Sequence, residues 1–156
     1  MKKLIFIILS VTLFFISCDS LQVYEEYITI PDGIWNRYQP IKFEVEVSDT
    51  MNPHNIYINV RNGSYYPFSN LFVFITTKAP NGNMIKDTLE ITLADDKGKW
   101  LGKGLGDIWD LQRIYKQNIR FPVSGIYTFE IEQAMRKEYE NLPHILDVGL
   151  RVERVK

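Results

Sequence analysis

From Ile41 to Val47 the chain reads Ile-Lys-Phe-Glu-Val-Glu-Val, apolar at every odd position and charged at every even one. Successive side chains of an extended strand point to opposite faces, so this segment has one dry face and one wet face. That pattern defines a half-buried antiparallel strand. The same period recurs at Ile56, Ile58 and Val60, at Leu89, Ile91 and Leu93, at Tyr127, Phe129 and Ile131, and at Leu146, Val148, Leu150 and Val152. Residues 23–30 add a first strand, and residues 71–77, apolar on both faces, are expected in the centre of a sheet. Turn signals such as Pro31-Asp32-Gly33, Asn62-Gly63 and Asn81-Gly82 punctuate these runs at a spacing of roughly ten residues. The expected fold is all-β: an antiparallel β-sandwich, immunoglobulin-like or jelly-roll-like, of seven or eight strands. At most one short helix is expected, at residues 107–117, with Asp107 as its cap and Ile108, Leu111 and Tyr115 sharing one face.

The first eighteen residues follow a different logic. Lys2 and Lys3 precede an apolar run from Leu4 to Ile16, and Ser17 precedes Cys18, the single cysteine. A positive head, a short apolar stretch and a small residue before a cleavage point describe a secretory signal. The apolar run would reach about 20 Å as a helix, short of the roughly 30 Å of a bilayer's hydrocarbon core. Phe15-Ile16-Ser17-Cys18 is similar to a bacterial lipobox, although Phe15 stands where Leu is usual. The reading is therefore a cleaved signal peptide (1–17), a lipidated Cys18 with a short tether (18–22), and a β-sandwich domain (23–156). A single cysteine excludes an internal disulfide. Two or three acyl chains on one residue would hold the protein to a membrane durably, where a single chain binds only marginally.

Without residues 1–17 the chain keeps 139 residues, with 16 basic against 19 acidic side chains, a net charge of −3. That is one domain's worth of chain, with no basic footprint for nucleic acid. No catalytic constellation is legible. His54 and His144 both fall in expected turns and read as exposed loop residues, with no further His or Cys to complete a zinc set. Asp95, Asp96, Asp107 and Asp110 lack calcium-loop spacing, and Gly98, Gly102, Gly104 and Gly106 lack phosphate-loop context. The glycines read as bends or close backbone contacts. No metal and no cofactor beyond the covalent lipid on Cys18 is expected. The remaining candidates are aromatic: Trp35, Tyr65, Tyr66, Trp100 and Trp109 in expected loops suit stacking on a sugar or anchoring a protein, or capping the core.

An ordered set of short segments resembles the gliding-motility lipoprotein GldH family of the Bacteroidetes. The segments are Val60-Arg61-Asn62, Tyr66-Pro67, Asn70-Leu71, Asp87-Thr88-Leu89-Glu90 and Gly98-Lys99-Trp100-Leu101-Gly102 with Gly104. They continue with residues 125–130, Gln133-Ala134-Met135-Arg136 and Asp147-Val148-Gly149-Leu150-Arg151. The resemblance implies a non-catalytic envelope lipoprotein of the gliding apparatus linked to type IX secretion, anchored in the outer membrane through Cys18. Its implied partners are the membrane and other envelope or gliding-machinery proteins. The alternative from the residues alone is a surface glycan-binding lipoprotein that uses the loop aromatics.

Overall fold

The computed structural model describes residues 21–155; the expected signal peptide and Cys18 lie outside the described residues. Eleven strands run in chain order: β1 (Gln22–Thr29), β2 (Ile34–Asn36), β3 (Ile41–Val47), β4 (His54–Gly63), β5 (Asn70–Lys78) and β6 (Met84–Thr92), then β7 (Lys103–Leu105), β8 (Ile108–Ile119), β9 (Gly125–Gln133), β10 (Asn141–Pro143) and β11 (Ile145–Arg154). They form a five-stranded sheet ordered β1-β11-β4-β8-β7, a four-stranded sheet ordered β3-β9-β5-β6, and a two-stranded ribbon of β2 and β10. All pairings are antiparallel.

The expected all-β sandwich is what the chain forms, with more strands than the seven or eight read from the sequence. Its core is the alternation made solid. Ile56, Ile58 and Val60 of β4 and Val148, Leu150 and Val152 of β11 face Phe43, Val45, Val73, Ile75, Phe129 and Ile131 of the other sheet, none more than 3% exposed. Each such side chain contributes about 1.5–3 kcal/mol of burial. β5 lies inside its sheet as expected, but its second face is only partly covered, leaving Phe74 38% exposed.

The expected helix at 107–117 is instead the long strand β8, reached through a tight Gly106-Asp107 hairpin from β7. Gly106 takes a φ of 65° there, a conformation that glycine adopts without steric cost. Register shifts opposite Ile56 break the alternation of β8 and place Leu111, Tyr115 and Ile119 against the core at a spacing that imitates a helix. Asp107 caps nothing; its carbonyl accepts the Ser64 N–H at 2.9 Å. The polar stretch 136–141 holds a single 3₁₀ turn, Lys137–Tyr139, before β10.

Both ends of the described chain lie at one end of the sandwich. There the Arg154 N–H donates to the Leu21 carbonyl and the Val155 N–H to that of Pro53, at 2.8 and 2.9 Å. Residues 48–53, 79–83 and 120–124 connect strands at this terminal end. The opposite, loop end carries the connections 30–40, 64–69, 93–107 and 134–144, all but 64–69 longer than any at the terminal end.

Candidate functional site

The five aromatic candidates fall at or just beneath the loop end, but they differ in what they offer a partner. Trp35 lies on β2 opposite Leu142 of β10, 1% exposed, with its Nε1–H donated to the Gln39 carbonyl at 3.2 Å. It closes the core like a plug and presents no ring face. Tyr66 is also buried, its hydroxyl donating to the Asn70 carbonyl at 3.0 Å, and burial pushes its phenol pKa up. Its ring meets Phe68 edge-on at 5.7 Å and Trp100 at 6.5 Å, and Phe68 in turn meets Tyr139 at 4.8 Å. Trp100 is half-buried in this cluster. These three candidates are structural capping groups in their placement.

Tyr65 and Trp109 are different. Tyr65 is 77% exposed, its ring 6.0 Å from that of His144, which is exposed in its turn as expected. Trp109 is half-buried and lies over Gly104 of the neighbouring strand, so close that a Cβ there would come within 2.3 Å of the indole. Its Nε1–H donates to Ser64 Oγ at 3.0 Å. The contact explains one glycine of the Gly102-Lys103-Gly104 run as a close approach.

Sequence reasoning missed the neighbours that complete this surface. Leu105, at the tip of the β7–β8 hairpin, is 91% exposed, and Ile108 beside it is 47% exposed. The Ser64–Asp107 backbone bond and the Trp109–Ser64 bond tie this hairpin to the loop that carries Tyr65. The signal was present: a lone leucine between two glycines has no alternation partner and no strand to bury it. Aromatic and aliphatic side chains exposed together at loop tips are the raw material of protein contacts.

Some charged groups near this surface pair with one another. Arg61 pairs with Asp110 at 2.9 Å and Asp147 at 3.8 Å, and its guanidinium lies over the Tyr27 ring at 4.3 Å. The Asp110 hydrogen bond raises the Arg61 pKa, and burial raises that of Tyr27. Asp95 accepts the Lys97 and Lys99 backbone N–H groups at 2.9 Å and shapes a turn. Among the described residues, no group of three or more His, Cys, Asp or Glu side chains is placed to hold a metal.

His54 corrects the sequence reading. It opens β4 rather than sitting in an exposed turn, is 1% exposed, and packs edge-on to Phe121 at 5.2 Å. Burial lowers its pKa, against the opposing pull of Asp49 and the Asn52 backbone. His54, Ile56, Ile58 and Val60 share one parity, so the inward direction was readable.

Fold and loop end together define an antiparallel β-sandwich that exposes aromatic and aliphatic side chains at one end. Comparison with known proteins gives the class its identity. The family model for GldH lipoprotein matches residues 22–152, and the chain belongs to that family. The chain is 38% identical over 155 residues to a gliding motility lipoprotein GldH homolog of Christiangramia forsetii, covering 96% of this chain and 94% of the relative. It is 33% identical over 153 residues to the gliding motility lipoprotein GldH of Flavobacterium johnsoniae, covering 95% and 94%.

Proposed function

We propose that this protein is a non-catalytic envelope lipoprotein of a gliding apparatus linked to type IX secretion. Lipid on Cys18 anchors it to a membrane, the outer membrane in this reading, and the loop end docks another envelope protein. The observation that carries this reading is the polarity of the fold. Gln22 enters the sheet at the terminal end, four residues after Cys18, while Tyr65, Leu105 and Ile108 are exposed at the opposite end. An anchor at one end leaves the other end free to meet a partner. The names of the relatives from C. forsetii and F. johnsoniae support gliding motility as the setting.

The glycan-binding alternative needs exposed ring faces. Of the five aromatic candidates, only Tyr65 offers one among the strongly exposed residues. The protein-docking reading therefore draws on more of the surface.

Crosslinking and pull-down of the acylated protein from native membranes, beside Cys18→Ala and Tyr65→Ala, tests the reading. Gliding or secretion components should be recovered with the wild type and lost with Cys18→Ala. Recovery of none, with the protein still membrane-bound, would favour a surface ligand instead.

A further inference from the structure

Along one long side of the sandwich the edge strands β1 and β3 approach each other; along the other lie β6 and β8. On this second side β6 is the outer strand of its sheet, and β8 is paired on its outer edge only from Ile108 to Asp110. Between them runs an apolar slot of about 370 Å³, lined chiefly by Ala79, Ile85, Ile119, Phe121, Pro122 and Tyr127. That volume is within the roughly 300–1,000 Å³ range of small-molecule sites. Ile85 shares the parity of the inward-facing Leu89 and Ile91 yet is 63% exposed, because no strand covers it.

Polar groups in the slot already have partners. Tyr115 Oη donates to Asp87 at 2.7 Å, Lys116 pairs with the same carboxylate at 2.8 Å, and Tyr127 Oη donates to the Val123 carbonyl at 2.9 Å. Lys116 and Tyr115 hold the Asp87 pKa below its ordinary value. Among the described residues, no buried side-chain atom left without a hydrogen-bond partner lines the slot. A polar ligand would therefore find little to bond, whereas an apolar chain would recover the contacts that Ile85 lacks.

Position selects the ligand. The slot extends upward from the terminal end, from Asn83 to Asp87 along β6, a run of about 13 Å at strand rise. On the anchor reading, Cys18 is four residues from Gln22, so the start of β1, at the same end of the sandwich as the slot, can stand no more than about 14 Å from the bilayer. Lys116 is paired with Asp87 at 2.8 Å and Arg120 Nε donates to the Met51 carbonyl at 2.9 Å, so what the slot offers a ligand is its apolar lining, which suits an acyl chain. We propose that the slot receives one acyl chain of a phospholipid from the membrane that holds the protein. This inference rests on the anchor reading and adds a second, non-covalent lipid contact to it.

The test uses the full acylated protein in phosphatidylethanolamine–phosphatidylglycerol vesicles doped with phospholipid carrying a diazirine on one acyl chain. After photolysis, adducts are mapped by peptide mass spectrometry. Adducts on the peptides containing Ile85 and residues 119–127 are expected. Ile85→Asp, at an exposed position that folding tolerates, should cut them at least about tenfold, because the chain would have to desolvate a carboxylate. Leu105→Asp at the loop end should leave them unchanged. Adducts confined to residues 18–22, or unaltered by Ile85→Asp, would overturn the proposal. The mass of the Cys18 peptide is read in the same digest. An acylated Cys18 with an unlabelled slot sinks the slot alone; an unacylated Cys18 sinks the anchor reading and with it the route of the lipid to the slot.

Discussion

At the terminal end the strands are joined by residues 48–53, 79–83 and 120–124; at the loop end, by 30–40, 64–69, 93–107 and 134–144. The loop-end connections do not hang free. They add Trp35, Tyr66, Met135 and Leu142 to the core, and the β2–β10 ribbon closes over it. Ordering a residue's backbone costs about 1–2 kcal/mol, so loops of this length persist only where they bury something in return. The terminal end buries less with its loops and holds an open slot. One end is a built surface with a few side chains left out of it; the other is a plain rim beside the start of β1.

The strongest way to break this contrast is to empty the loop-end core. Trp35→Ala should cost about 3–5 kcal/mol, read from denaturant unfolding, because a fully packed indole leaves a cavity. A loss under about 1 kcal/mol would mean that the ribbon is only loosely joined to the sandwich. Gly104→Ala is the next largest. Its methyl would collide with the Trp109 ring, and the strain should cost about 1–3 kcal/mol and alter the tryptophan fluorescence. An unchanged spectrum would show that Trp109 moves aside freely.

At the terminal end the sensitive group is His54. Its folded-state pKa is lowered by burial, so the unfolded chain takes up the proton first as pH falls. Stability is therefore full above the unfolded value near 6.5 and declines below it, by at most about 1.4 kcal/mol per pH unit until the folded pKa is reached. His54→Leu should flatten the stability profile between about pH 7 and 5; a profile identical to wild type would assign the slope to another group. The smallest expected effect is that of Tyr65→Ala, within about 0.5 kcal/mol of wild-type stability. Its crosslinks to envelope partners should nevertheless be lost. Crosslinks that survive would move the docking face away from the Tyr65 loop.

Where alternation ran unbroken the fold was legible. Residues 41–47, expected as a strand, form β3 with those bounds. β2, β7 and β10 have three residues each, too few for a period to show. β8 misled because its register shifts replaced a period of two with spacings of four, and because Asp107 resembles a cap until the turn before it is seen as a hairpin. The candidate surface was half legible. Residue type marked Tyr65 and Trp109 as notable, but it could not separate them from Trp35 and Tyr66. Whether a loop ring faces water or caps the core is decided by which loops fold back over it.

The pairing of β1 with β11 has a mechanical side. β1 begins at the terminal end and runs toward the loop end, bonded to β11 from Gln22 to Thr29. A pull between an anchor ahead of Gln22 and a partner held at the loop end would act along the strand axis. Antiparallel ladder bonds lie perpendicular to that axis. Such a load would strain the ladder in shear, with its rungs sharing the force, instead of peeling them apart one by one. A tether attached to β1 thus turns the edge of the sheet into a stiff linkage for transmitting tension.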